Sequence, residues 1–132
     1  MPAGVYQYCA AAHALAELAT GDPRPQLRKV YVQPEFAERA AVTVILAARV
    51  RRALAKCPVR HYRTLHVDTG IATQNLYLVA TALGLRCCAV TGYCDAAARQ
   101  LLQLDDREFP TLLFAAAHAP SPADAGCGRS DR

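Results

Sequence analysis

The chain has 132 residues, a length that accommodates one domain and leaves no room for two. Hydrophobic residues make up 53% and charged residues 20%, a composition that supports a packed core and argues against intrinsic disorder. The net charge of +4 comes from arginines spread along the chain, without the dense basic face that nucleic-acid binding prefers, so no nucleic-acid partner is expected.

The residue types that bind metals or form disulfides are present without the spacing that either function needs. None of the six cysteines belongs to a C-x-x-C pair, so neither a zinc site nor a disulfide framework is expected. His61 and His66 lie about 140° apart around a helix, which makes them poor co-ligands. The longest apolar run, residues 40–48, is too short to span a bilayer. With no secretory leader visible, we expect a cytoplasmic protein without a metal site or membrane contact.

The first forty residues are predicted to combine a short strand with loops and helical turns. Alternation predicts a strand near residues 4–8, whereas residues 10–19 fit either a helix or a turn followed by a second strand. Glycine and two prolines predict a loop at 20–25. Residues 27–32 are ambiguous, and residues 35–40 can form a helical turn after Pro34.

The middle of the chain carries the clearest strand and the clearest helix. In residues 42–46 four of five side chains are β-branched and both faces are apolar, which predicts a central strand. Helix formers follow at 49–56, and Pro58 interrupts them. Residues 68–83 form the strongest helix prediction, because apolar residues recur at spacings of three and four until Gly84 supplies a stop. Apolar residues on nearly all of its sides predict a central position.

The C-terminal third is predicted to continue as strand, short helix and strand. The elements are a buried strand at 87–90, a loop at 91–93, a helix at 96–102 capped by the Asp95 carboxylate, a last strand at 112–117 and a disordered tail at 119–132. This order predicts an α+β domain in which a central long helix packs on a mixed or antiparallel sheet. Uncovered apolar surface would then require a dimer interface or a missing partner segment.

Several stretches together resemble one family. They are PAGVYQY with HAL at residues 2–15, AVTVILA at 41–47, DTG and QNLYL at 68–78, ALGL at 82–85 and CAVTGYCD at 88–95. In this combination the chain resembles the C-terminal half of a SagB-type (azoline oxidase-like) FMN-dependent dehydrogenase, over residues 2–118. The resemblance implies a nitroreductase-like half-domain.

The resemblance also implies an activity and a set of site residues. Enzymes of this family bind FMN in a homodimer with sites built from both subunits, and they oxidise azolines in peptide natural-product biosynthesis; relatives reduce nitro compounds or quinones. The family's catalytic Lys-Tyr pair falls on Lys56 and Cys57, so Lys56 is the expected base and the tyrosine is missing. The backbone of Val90, Thr91, Gly92 and Tyr93 is expected to approach the flavin. Ile71 replaces a family histidine.

The family's N-terminal half carries the arginines that grip the FMN phosphate, and the resemblance places this chain after that half. FMN binding is therefore expected to need a homodimer or a separate N-terminal half. The alternative is a truncated non-catalytic scaffold or interaction subunit that does not bind flavin alone.

Overall fold

The computed structural model describes residues 1–49 and 58–119, in which strands and helices alternate irregularly. In chain order the elements are β1 (Gly4–Cys9), β2 (Ala14–Thr20), α1 (Arg24–Val30), α2 (Glu35–Arg39), β3 (Val42–Arg49), α3 (Pro58–Ala82), β4 (Leu85–Val90), α4 (Asp95–Leu102) and β5 (Glu108–His118). The predicted α+β class, with a long helix on an antiparallel sheet, is confirmed. The expected tail lies outside the described residues apart from residue 119.

Strands β1 and β2 form a separate two-stranded antiparallel hairpin. The turn between them ends at His13, whose φ of 47° is left-handed and whose Nδ1 lies 2.8 Å from the Tyr8 hydroxyl. Of the two interpretations for residues 10–19, the turn with a second strand is therefore correct. The alanines and leucines there pair with β1 instead of forming a helix, because tertiary pairing overrides a weak local preference.

Helix α1 begins inside the predicted loop and resolves the ambiguous segment after it. Pro23 occupies the N-cap and Pro25 lies in the first turn, where a missing N–H group breaks no helical hydrogen bond. The helix buries Leu27 and Val30 and extends to Val30, while Tyr31 is extended. The helical turn predicted at 35–40 is confirmed as α2.

Strands β3, β5 and β4 form an antiparallel sheet in which β5 is central. The prediction that β3 is a central strand is wrong, because β3 lies at an edge of this sheet. Both of its faces are nevertheless covered: Val44 packs against the core beneath α3, and Ile45 packs against the core around α1. Apolar residues on both faces of a strand indicate that the sheet is covered by a layer on each side. They do not indicate whether the strand lies at the centre or at the edge of the sheet.

A β-bulge explains how a proline is accommodated in the central strand. Leu46 pairs with Leu112 and Ala47 with Pro110, so Thr111 is the extra residue of β5. Pro110 cannot donate to a sheet ladder, and bulges are where such a residue is tolerated. Its side chain is among the most deeply buried of the described residues.

Helix α3 begins at Pro58, ten residues before the predicted start, and ends at Ala82. Pro58 is its first residue, a position where a proline fits because the first helical turn needs no N–H donor. The helix predicted at 49–56 lies outside the described residues, apart from Arg49, which ends β3. Gly84 stops it as predicted, with a φ of 66° and an N–H group that donates to the Thr81 carbonyl at 3.0 Å. One face is buried through Thr73 and Ala80, but the opposite face exposes large apolar side chains. The predicted central position is therefore correct for one face of the helix, and the opposite face is exposed.

Helix α4 begins one residue earlier than predicted, and Asp95 is not its cap. Cys94 is the extended N-cap residue and makes no side-chain capping bond, whereas Asp95 lies in the first turn. There its negative charge still interacts favourably with the helix dipole.

No helix within the described residues is both long and apolar enough to cross a membrane.

Candidate functional site

Of the sequence-predicted site residues, the structure places residues 90–93, which lie at one end of the three-stranded sheet. β3 ends at Arg49 opposite Glu108, where β5 begins, and β4 ends at Val90 opposite Leu113. The segment Val90, Thr91, Gly92 and Tyr93, hereafter the 90–93 loop, leaves the sheet at this end. Lys56 and Cys57 follow β3 in sequence but lie outside the described residues, so the structure does not place them.

The 90–93 loop is held on one side by main-chain bonds to the segment after α1. The Gly92 carbonyl accepts a hydrogen bond from the Val32 N–H group at 3.1 Å, and the Cys94 N–H group donates to the Val30 carbonyl at 2.8 Å. These bonds flank an antiparallel bridge between Tyr31 and Tyr93. The orientation of the Gly92 peptide is therefore fixed by main-chain hydrogen bonds to residues after α1, which are distant from the loop in sequence.

Tyr93 holds the loop on its other side. Its hydroxyl donates to the Pro110 carbonyl at 2.9 Å, which joins the loop to the bulge of β5. Burial raises the pKa of Tyr93, and the nearby Asp95 carboxylate raises it further. The phenol therefore remains protonated and able to donate at neutral pH.

The conformation at Gly92 tests whether the loop fits a flat cofactor. A Cβ atom built there would meet only Val32, at 3.8 and 3.9 Å, which is ordinary van der Waals contact, and φ lies outside the left-handed region. The fold of the described residues would therefore accept alanine at this position. A requirement for glycine would have to come from a group outside the chain that approaches the Gly92 backbone closely.

A groove of about 420 Å³ lies between α3 and the bulged end of the sheet. Its lining is apolar at Leu46, Leu65 and Ala72, and polar at Thr69, Thr111, Asp68 and Arg49. Arg49 is paired with Glu108 through one contact of 2.5 Å between Nε and Oε1, so its charge is already balanced. The carboxylate of Asp68 is thus the one charged lining group without an ion pair among the described residues.

Hydroxyl groups join the helix to the bulge at this groove. The Thr111 hydroxyl donates to the Leu46 carbonyl at 3.0 Å. The Thr69 Oγ1 lies 3.1 Å from the Thr111 Oγ1 and 2.8 Å from the Leu65 carbonyl, so its single hydrogen has two available acceptors. Thr69 belongs to the DTG stretch of the resemblance, but the sequence predicted no role for either threonine. The one available signal at Thr111 was the proline before it, because a proline next to a strand is tolerated at a bulge.

Other candidate residues do not assemble into a site. Ile71, which replaces the family histidine, is exposed on the outer face of α3. Residues 1–49 and 58–119 contain no group of three or more metal-ligating side chains that could hold an ion. The candidate site of the described residues is therefore the 90–93 loop together with the groove under α3.

Comparison with known proteins relates this architecture to one family. The family described as Nitroreductase family matches residues 5–118. A Methanocaldococcus jannaschii protein described as a nitroreductase is 30% identical over 111 residues, which cover 84% of this chain and 55% of the relative. The chain thus spans about half the length of the curated relative that it matches.

Two solved structures share the fold. A protein from Anabaena variabilis described as a nitroreductase matches 91% of this chain and 25% of its own chain, with a TM-score of 0.83 and 25% identity. A chain of the Escherichia coli microcin synthetase McbBCD complex, solved with truncated pro-MccB17 bound, matches 88% of this chain and 44% of its own, with a TM-score of 0.77 and 26% identity. With a family match that covers nearly all of its described residues, the chain belongs to the nitroreductase family.

Proposed function

We propose that this chain is part of a cytoplasmic FMN-dependent oxidoreductase of the SagB type, whose flavin site is completed by a second polypeptide chain. The observation that carries the proposal is the family match over residues 5–118, since it includes the 90–93 loop and the whole sheet end around it. The relative from M. jannaschii is about twice as long as the matched region, which supports a site that needs further protein.

The 90–93 loop is the part of this chain that would contact the flavin ring. Its Gly92 carbonyl accepts a hydrogen bond from the Val32 N–H group, which fixes the Gly92–Tyr93 peptide. Because Gly92 has no side chain, the flavin ring could approach this backbone closely. FMN, when bound, supplies a two-electron acceptor for oxidation of a substrate or a donor for reduction of one. In this proposal the 90–93 loop would hold the ring, and the groove under α3 would receive the substrate.

Lys56 is the proposed base for azoline oxidation. In that reaction Lys56 would accept a proton from the azoline ring, and FMN, if bound, would supply the acceptor for the two electrons and the second hydrogen that leave as the azole forms. A lysine can accept a proton only when its neutral form is populated, which burial or a neighbouring cation promotes. Arg52 and Arg60 lie four residues to either side of Lys56 in sequence and are the candidate cations.

The proposed substrate is an azoline-containing peptide in natural-product biosynthesis. Support comes from the structural match to the microcin synthetase complex, which was solved with a truncated pro-peptide bound. The groove under α3 adds support, because its threonine hydrogens are directed to protein oxygens. The remaining threonine lone pairs and the Asp68 carboxylate accept hydrogen bonds, as a peptide with N–H groups requires.

The second chain is proposed to be another copy of this chain in a homodimer, or a separate N-terminal half. The outer face of α3 supports either partner. Val67, Ile71 and Leu78, hereafter the outer stripe, are 58–60% exposed and lie within about 40° of one another around the helix. A helix that is apolar on both faces is normally covered on both.

The proposal is tested by titrating the purified chain with FMN, alone and with a co-expressed N-terminal half of a relative, while flavin fluorescence is followed. FMN binding by the chain alone would identify a second copy as the completing chain, and binding only with the co-expressed half would identify a separate N-terminal half. The loaded complex should then remove two hydrogens from a thiazoline peptide, as seen by mass spectrometry. Lys56→Met should abolish this oxidation and leave FMN binding intact.

The chain offers a matched control for that variant. Lys29 is the only other lysine, and it is exposed on α1. Lys29→Met should oxidise the peptide at the wild-type rate. An equally active Lys56→Met complex would disprove the role of Lys56.

A second candidate function follows from the residues that depart from the family pattern. Cys57 stands where azoline oxidases have tyrosine, and Ile71 stands where the family has histidine. A non-catalytic scaffold or interaction subunit would retain the outer stripe and lose the chemistry. Partner binding without flavin binding, under every combination tested, would establish this alternative.

A further inference from the structure

The 90–93 loop and the groove under α3 are joined by a continuous series of side-chain hydrogen bonds. From the loop, the Tyr93 hydroxyl donates to the Pro110 carbonyl at 2.9 Å. That carbonyl and the N–H group of Thr111 belong to the same peptide unit, which is the bulge of β5. From this unit the Thr111 hydroxyl donates to the Leu46 carbonyl on β3, and Thr69 on α3 lies 3.1 Å from the Thr111 Oγ1.

The bulge is the part of the sheet where such a series has most effect. The preceding Phe109–Pro110 peptide has no N–H group, and Thr111 is the extra residue without a ladder partner, so the ladder is incomplete on both sides of the Pro110–Thr111 peptide. Two side chains replace it: Tyr93 binds the peptide's oxygen, and Thr111 anchors its other end to β3. The direction of the bulge, and with it the wall of the groove, therefore depends on hydroxyl groups from two different segments.

We propose that Tyr93 and Thr111 are positioning residues, which act through the Pro110–Thr111 peptide to hold the 90–93 loop in a fixed arrangement with the groove under α3. This inference rests on the proposed function, in which the loop contacts the flavin and the groove receives the substrate. The hydrogen of each hydroxyl is not available to flavin or substrate, because each hydroxyl already donates to a carbonyl oxygen of the fold. Their role is to set the distance between the two halves of the site.

The first measurement uses the flavin-free chain. Tyr93→Phe removes one hydroxyl and retains the ring, and Thr111→Val removes the other and retains the side-chain shape. Each lost hydrogen bond should speed amide hydrogen exchange at residues 91–94 about three- to tenfold. The double variant should exchange little faster than either single variant, because both bonds restrain the same peptide. Thr111→Ser, which restores the hydroxyl, should return exchange to the wild-type rate.

Tyr31→Phe is the matched control. Tyr31 pairs with Tyr93 through the main chain, and its own hydroxyl lies 3.0 Å from the Thr43 Oγ1, away from the bulge. This variant loses an equivalent hydrogen bond and retains the Tyr93–Pro110 contact. It should leave exchange at residues 91–94 within about twofold of wild type.

The second measurement uses the FMN-loaded complex with its second chain. Tyr93→Phe and Thr111→Val should weaken FMN binding several-fold and change the flavin's reduction potential, whereas Tyr31→Phe and Thr111→Ser should change neither. Unchanged exchange in Tyr93→Phe, additive effects in the double variant, or an equal effect of Tyr31→Phe would overturn the inference. If the wild-type complex binds no FMN, the proposed function fails, and the exchange measurements still decide whether the two residues are coupled.

Discussion

The substitution Leu78→Asn on the outer stripe of α3 tests whether two copies of this chain associate through that helix. Leu78 is 60% exposed and lies about 160° around the helix from the buried Ala80. Asparagine at this position loses the apolar contact and should retain the helix. In a symmetric dimer each substitution occurs twice, once in each copy.

The exposed fractions set the size of the effect. Full burial of a leucine, isoleucine or valine side chain contributes about 1.5–3 kcal/mol. For side chains that are 58–60% exposed, the part still available is about 1–2 kcal/mol each. Two lost leucine contacts per dimer therefore amount to about 2–4 kcal/mol, and the dissociation constant should rise about 30-fold to several hundred-fold.

Sedimentation equilibrium over a range of protein concentrations measures this constant directly. Val79→Asn is the control, because Val79 is 57% exposed and lies about 100° further around the helix, outside the stripe. It should change the constant less than threefold. Both variants should keep the unfolding free energy of the monomer within about 0.5 kcal/mol of wild type, since the sites are exposed. A wild-type chain that stays monomeric, or a Leu78→Asn dimer as tight as wild type, would refute the stripe as an interface between copies.

Two further predictions concern stability. Gly70 lies inside α3 with open space where an alanine methyl group would sit, so Gly70→Ala should raise the unfolding free energy by about 1 kcal/mol. Gly84→Ala should lower it by about 1–2 kcal/mol, because φ is 66° at Gly84. Equal urea midpoints for the two variants would contradict both expectations. Burial raises the pKa of both Tyr31 and Tyr93 above the ordinary value of 10.0. Their contribution to stability should be complete below about pH 10 and decrease as the pH rises through the raised values, because the unfolded chain ionises first. Urea midpoints measured between about pH 9 and 11 should fall less steeply in Tyr31→Phe and Tyr93→Phe, and equal slopes in all three proteins would show that neither tyrosine contributes.

Local patterns identified most of the elements, and tertiary contacts set their ends. Residues 42–46 were recognisable as a strand because β-branched side chains favour the extended backbone, and Gly84 ended α3 because it tolerates positive φ. The first ten residues of α3 were not predicted as helix because Pro58 was interpreted as a break. In the structure this segment is helical, and its Tyr62 and His66 rings pack near the Phe109 ring of β5.

The candidate site was only partly visible before folding. The resemblance to SagB-type dehydrogenases predicted the 90–93 loop as part of the site. The hydrogen bonds that hold this loop are visible only in the structure. Thr69 and Thr111, which are 42 residues apart, meet at 3.1 Å, and no local pattern relates them. Lys56 remains a prediction from the resemblance.

The sequence by itself determined the α+β class, the long helix and its stop, because these follow from side-chain periodicity and from the backbone freedom of single residues. The place of β3 at the sheet edge, the bulge at Thr111 and the exposure of the outer stripe were decided only by the tertiary structure. Each of them depends on which distant segments pair or pack together, and hydrogen bonds between distant strands leave no periodic signal along the chain.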